Sequence, residues 1–245
     1  MRTNIILLVF SFVLMKSTIA QTYLTENTSS RILAGNKGLN IGGYAQIDFN
    51  HSLTDDHSFK NSKLDVHRLV TFFGYNFNEK TSFVSEIEME HVVELYVEQA
   101  FLSHKLNHGL NLNAGLMLIP MGIQNLYHEP PTFNGVERTN IDKYVVPTTW
   151  REIGVGISGR LASYSVNYEF MLVNGFNGYS NGQGKFSGSS GLRSGRQKGA
   201  ESYMTKPDFA ARLNYYGEPG LSLGISAYVG DSESEEYNDL DLDNN

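Results

Sequence analysis

Glu86, Glu88 and Glu90 stand at every second position of one short stretch, with Ile87 and Met89 between them. In an extended chain such residues project from a single face about 7 Å apart. A carboxylate column of that kind serves as a cation-attracting wall or a divalent site; the plain alternative is a solvated face with cross-strand partners. His91 has the opposite parity, which weakens a shared metal site. His128-Glu129-Pro130-Pro131 lacks the His-Glu-x-x-His spacing of a zinc protease, and two prolines would break the helix it needs. These residues read as loop-shaping, with contacts at a constriction as the functional alternative. Glu137, Arg138, Asp142 and Lys143 follow in the same segment. They pair with one another, face a pore, or remain solvent ions of little energetic weight.

Other chemistry is thin. Gly182-Gln183-Gly184 and the stretch from Gly188 to Gly199 lack the strand–loop–helix context and the Gly-Lys-Ser/Thr ending of a phosphate loop. They read as a flexible external loop, whose Arg193, Arg196 and Lys198 could touch lipopolysaccharide or recruit anions. Asp239-Leu240-Asp241-Leu242-Asp243 lacks the glycine and distal glutamate of an EF-hand loop and reads as surface, with weak calcium binding as the alternative. No serine sits in a nucleophile elbow. The chain contains no cysteine, which excludes disulfide scaffolds, thiolate metal sites and cysteine nucleophiles. No catalytic residue, metal ligand set or cofactor is therefore assigned, and the chain reads as a non-enzyme.

The elements that carry these residues are strands. Met1 to Ala20 has the form of a secretory signal peptide: Arg2, an apolar stretch from Ile5 to Met15, then Thr18-Ile19-Ala20 before the cleavage point. Residues 21–37 are a polar lead-in. After the leader no apolar run approaches the ~18 residues of a membrane helix. The net charge of −7 gives no support for nucleic-acid binding. From Gly38 onward nine candidate strands follow, most of 10 to 13 residues; apolar and polar residues alternate with period two in eight of them, and the second, residues 63–77, has mixed faces. Globular strands average ~5–6 residues, whereas tilted strands crossing an outer membrane need ~9–11. Connections alternate between short turns and mostly long loops, the pattern of a transmembrane barrel. The junction at His91-Val92-Val93 breaks it and carries no usual turn former.

The polar faces define candidate pore-lining residues: Asp48, Glu86, Glu88, Glu90, Glu94, Glu98, Glu152, Arg160, Glu169, Lys206, Asp208 and Arg212, with Arg68 as a further possibility. The acids outnumber the bases, so the wall reads as acidic. His128, Glu129, Glu137, Arg138, Asp142 and Lys143 are the candidate constriction-loop residues. Tyr144, Trp150, Tyr164, Tyr203, Tyr215 and Tyr216 fall near strand ends, where aromatic girdles sit.

Several stretches carry a family likeness. They are Ser85-Glu86-Ile87-Glu88-Met89-Glu90-His91, Val97-Glu98-Gln99-Ala100-Phe101, Gly115-Leu116-Met117-Leu118-Ile119-Pro120-Met121-Gly122, the run from His128 to Arg138, and Pro147-Thr148-Thr149-Trp150-Arg151-Glu152-Ile153-Gly154-Val155-Gly156. Together they resemble outer-membrane porins of the phosphate-selective porin O and P type, nearest to versions from Bacteroidetes-like bacteria. The likeness runs from about Leu39 to Gly230 and is most specific over 115 to 156. It implies a 16-stranded, usually trimeric barrel passing small anions, with the long loop after the fifth strand folded inward. Nine visible strands would then be the N-terminal part of such a barrel, residues 38–245, incomplete at the C-terminus.

This sequence departs from the namesake in its charge. A phosphate channel needs a ladder of Lys and Arg along the path. The acidic wall points instead to a general or cation-preferring pore. The expected protein is an all-β, transmembrane antiparallel β-barrel in the bacterial outer membrane, a homotrimer contacting lipid and lipopolysaccharide. It would act as a passive diffusion channel for small hydrophilic solutes or ions, without cofactor or nucleic acid. The alternative is a secreted or periplasmic β-rich protein that binds carbohydrate through exposed aromatics; a barrel enzyme is a weaker third.

Overall fold

The computed structural model describes residues 27–51, 62–133, 135 and 137–234. The leader and the Asp239–Asp243 stretch lie outside them. Nine strands form one antiparallel sheet: β1 (Gly38–Asn50), β2 (Lys63–Asn76), β3 (Thr81–Glu90), β4 (Glu94–Asn107), β5 (Leu110–Leu118), β6 (Arg151–Leu161), β7 (Val166–Val173), β10 (Asp208–Tyr215) and β11 (Leu223–Val229). Each pairs with its neighbour in this order, and β1 and β11 are the two open edges. A small second sheet joins β8 (Asn177–Ser180) and β9 (Gln183–Gly184), both between β7 and β10, with β12 (Glu233–Ser234), which follows β11. Among the described residues one α-helix, α1 (Thr28–Leu33), forms within the polar lead-in.

The expected alternation of connections is present. At one end of the sheet the turns are short, over 77–80, 108–109, 162–165 and 216–222. At the other end β1 stops and β2 starts, and the segments 119–150 and 174–207 leave the sheet. The exception is 91–93, where Val93 N–H donates to Glu90 O. The chain turns there with His91 at φ 51° and Val92 at φ 69°, a conformation usually left to glycine or asparagine.

Two irregularities re-aim side chains. The register shifts between Gln46 and Ile47 against β2, so His67 and Arg68 do not follow strict alternation. A second shift between Glu86 and Ile87 against β4 falls at Glu98. Beyond that bulge the faces exchange parity. Phe101, which simple alternation groups with Val97, is buried, and Leu102 is exposed instead.

Candidate functional site

The two faces of the sheet have opposite character, and the charged one is covered. Ile41, Phe49, Leu64, Leu95, Val155, Leu172 and Ile225 all belong to the bare face and are strongly exposed. On the other face Arg68, Glu86, Glu88, Glu98, Glu152 and Asp208 are at most 3% exposed. They share that face with an apolar cluster including Val70, Val84, Met171 and Val173. A pleated strand sends successive side chains to opposite faces, so the alternation in sequence becomes this division directly.

The charges are paired across strands. Arg68 Nη1 lies 2.8 Å from Glu88 Oε1, and Arg151 Nη1 lies 2.8 Å from Glu98 Oε1. Glu152 accepts from Asn174 Nδ2 at 2.6 Å and from the Gln197 backbone at 3.1 Å. Nearer the long-loop end, His67 Nδ1 lies 2.8 Å from Asp48, and His91 Nδ1 lies 2.7 Å from Asp65. Among the described residues no group of three or more histidines and acids is arranged to hold a metal.

The segments 119–150 and 174–207 both contribute residues that pack onto this face. The two ends of the segment 119–150 are tied by Asn125, whose side chain donates to Ile119 O and Trp150 O and accepts from Trp150 N–H. Farther across the sheet, Arg212 donates to Gly122 O. His128 is buried, with Nδ1 3.1 Å from Asn125 O and Nε2 3.9 Å from Glu86 Oε1. Burial, with Arg138 next to it, holds the His128 imidazole at about 3.

The segment 174–207 is docked at 174–177 and 195–197, which are buried, while 181–190 is mostly exposed. Arg196 donates to Thr148 O at 2.6 Å and Thr149 Oγ1 at 3.1 Å, while Arg138 reaches Thr148 Oγ1 at 2.9 Å. Leu192 N–H donates to Tyr144 O, and a Cβ on neighbouring Gly191 would stand 2.1 Å from that oxygen. Burial, with Arg193 and Arg151 nearby, lowers Arg196 to about 9. The expectation of an exposed loop holds for 181–190 but is corrected for 195–197, where Arg196 is buried and turned away from any outside contact.

Of the strand residues singled out by alternation, Glu86, Glu88, Glu98, Glu152 and Asp208 converge on the covered face, and Glu90 and Asp48 lie near them. Glu169 and Arg212 face each other across β7 and β10. Three do not join. Glu94 is exposed at the rim, bonded by Tyr96. Arg160 is exposed at the short-turn end over the Tyr216 ring. Lys206 precedes β10 and is exposed.

In the long loop, Glu129 lines a groove of about 830 Å³ beside Tyr44 and β1. Glu137 is exposed, Asp142 is bonded by Thr139, and Lys143 lies over the Tyr144 ring, so these three form no common site with His128. Trp150 is 2% exposed and stacks on Phe176, so it is no girdle residue.

Alternation missed Arg151, Arg193 and Arg196. Arg151 has the parity of Ile153 and Val155 but begins its strand just after Thr149, at φ 59°. Its side chain turns inward at that corner. With Arg68 and Arg151 paired to Glu88 and Glu98, and loop arginines added, the expected acidic wall becomes one of mixed sign.

No family model matches the chain. It is 34% identical over 220 residues to an uncharacterized protein of Aquifex aeolicus (strain VF5), an alignment covering 86% of this chain and 49% of that protein. The chain thus spans about half the length of the curated relative it matches.

Proposed function

We propose that this chain forms part of an outer-membrane β-barrel of the porin kind, a passive diffusion channel for small hydrophilic solutes or ions. The observation that carries the reading is the inverted polarity of the sheet, with apolar side chains on its bare face and ion pairs beneath the loops. In water such a surface is an aggregation liability far beyond the patch a soluble monomer shows. In lipid it is the required outer surface. The charged face then borders the water path, narrowed by the two docked loops.

Two open edges cannot remain unpaired in hydrocarbon. After nine antiparallel strands β1 and β11 run in the same direction. An all-antiparallel closure needs an odd number of further strands between them. The seven that complete the 16-stranded barrel implied by the porin resemblance satisfy this parity. Mixed charge along the path favours a general pore with weak ion preference over a phosphate-selective one.

The test is expression of the full-length protein in a bacterial outer membrane, followed by reconstitution in planar bilayers. Sedimentation with the outer membrane, slower gel migration after boiling and stepwise conductance with a small reversal potential in a salt gradient are expected. Recovery in the soluble periplasm without a heat-dependent shift overturns the reading and favours the binding-protein alternative.

A further inference from the structure

We propose that α1 is a plug seated on the channel face, narrowing the path near its short-turn end; this rests on the channel reading above. The helix has six residues, too few to persist alone in water. It is held by contacts to the charged side of the sheet. Ile32 is 6% exposed and belongs to the cluster of Val70, Phe72 and Val84. Directly beneath it β2 carries Gly74, where a Cβ would stand 1.9 Å from Ile32 Cγ2. Any larger residue there would compete with the helix for the same space. Asn76, one pleat farther, places Nδ2 2.9 Å from both Gly35 O and Asn36 O. The strand thus supplies a gap for the plug's side chain and a clamp for its backbone.

The plug is also joined to the long loop. Ser29 Oγ donates to Gln99 Oε1 at 2.8 Å, and Gln99 Nε2 donates to Glu86 Oε2 at 2.7 Å. The other oxygen of that carboxylate faces His128 of the loop. Glu86 is therefore shared by the two elements that cover the path, and unseating α1 removes the Ser29 end of this chain. A six-residue helix seated through Ile32, Ser29 and the Asn76 clamp belongs to the easily opened end of a structure's stability range.

Full-length protein in planar bilayers tests this. Gly74→Ala and deletion of residues 27–37 are each expected to raise single-channel conductance about twofold or more, as a wider path requires. Both must show the wild-type heat-dependent gel shift. Wild-type conductance in both folded variants overturns the plug. Absence of conductance in the wild type and every variant overturns the channel reading, and the plug with it. Should the variants fail to fold, Ile32→Cys with Gly74→Cys replaces them. The chain has no other cysteine, and a Cβ at 74 lies 3.1 Å from Ile32 Cβ. The reduced form is expected to conduct more than the oxidised, locked form; equal conductance in the two overturns the proposal.

Discussion

Arg151 and Glu98 are 4% and 3% exposed and 2.8 Å apart, so each is the other's main compensation for leaving water. Arg151→Ala leaves a buried carboxylate without its counter-ion, a change expected to destabilise the fold by about 3–5 kcal/mol. Replacing both, Arg151→Met with Glu98→Gln, is expected to cost less than the single change. Urea midpoints in detergent measure this, and a double variant weaker than Arg151→Ala would refute it. His128 adds a pH dependence. Its imidazole titrates at about 3 when folded against 6.5 as an ordinary value, because burial disfavours the cation. Between those values the unfolded chain binds a proton that the folded chain excludes. Stability from this group is therefore full above about pH 6.5 and falls on acidification, by up to about 1.4 kcal/mol per pH unit. His128→Gln should show a shallower acid decline in the same assay; an identical slope removes His128 from the account. The column of Glu86 and Glu88 was legible from parity alone. Arg151 was not, because a corner at Thr149 rather than the strand's period aims it.

At the scale of elements, period-two alternation located eight of the nine strands of the large sheet, since a bare face and a covered face need the same pleat; β2 was legible only as an extended stretch with mixed faces, because its register shifts at His67. What it missed is held by contacts distant in sequence. α1 has no stretch long enough to signal a helix and depends on Gly74 and Asn76. The loop 174–207 is rich in glycine and serine, yet Arg196 and Gln197 fix it to Thr148 and Glu152. The turn 90–93 was recognisable only as an anomaly, and its backbone explains why. Val92 is β-branched and sits at φ 69°, where a side chain costs roughly 1–2 kcal/mol. Val92→Gly relieves that strain at the expense of extra freedom when unfolded. A net stabilisation of about 1 kcal/mol is expected, while Val93→Gly, with no positive φ to relieve, should destabilise. Heat-dependent gel mobility across a temperature series separates the two, and a Val92→Gly protein that melts earlier than wild type would refute the strain argument.

For the whole molecule the question is which solvent meets the apolar face. A soluble protein and a membrane barrel make opposite demands on the same exposed side chain. Val155 is 50% exposed near the middle of β6, while Leu64 is 75% exposed at the start of β2, close to the long-loop end. In water an arginine at either site would be harmless, and would even improve solubility by breaking an apolar patch. In a bilayer the two sites differ by depth. Val155→Arg places a cation near the hydrocarbon midplane at a cost of about 2–4 kcal/mol, whereas Leu64→Arg lies near the interface at about 0–1 kcal/mol. Refolding of the full-length protein into lipid vesicles, followed by denaturant titration, reads this difference directly. A Val155→Arg variant markedly weaker than Leu64→Arg is the expected result. Equal tolerance of the two would mean that the bare face of the sheet meets water or another protein surface rather than lipid.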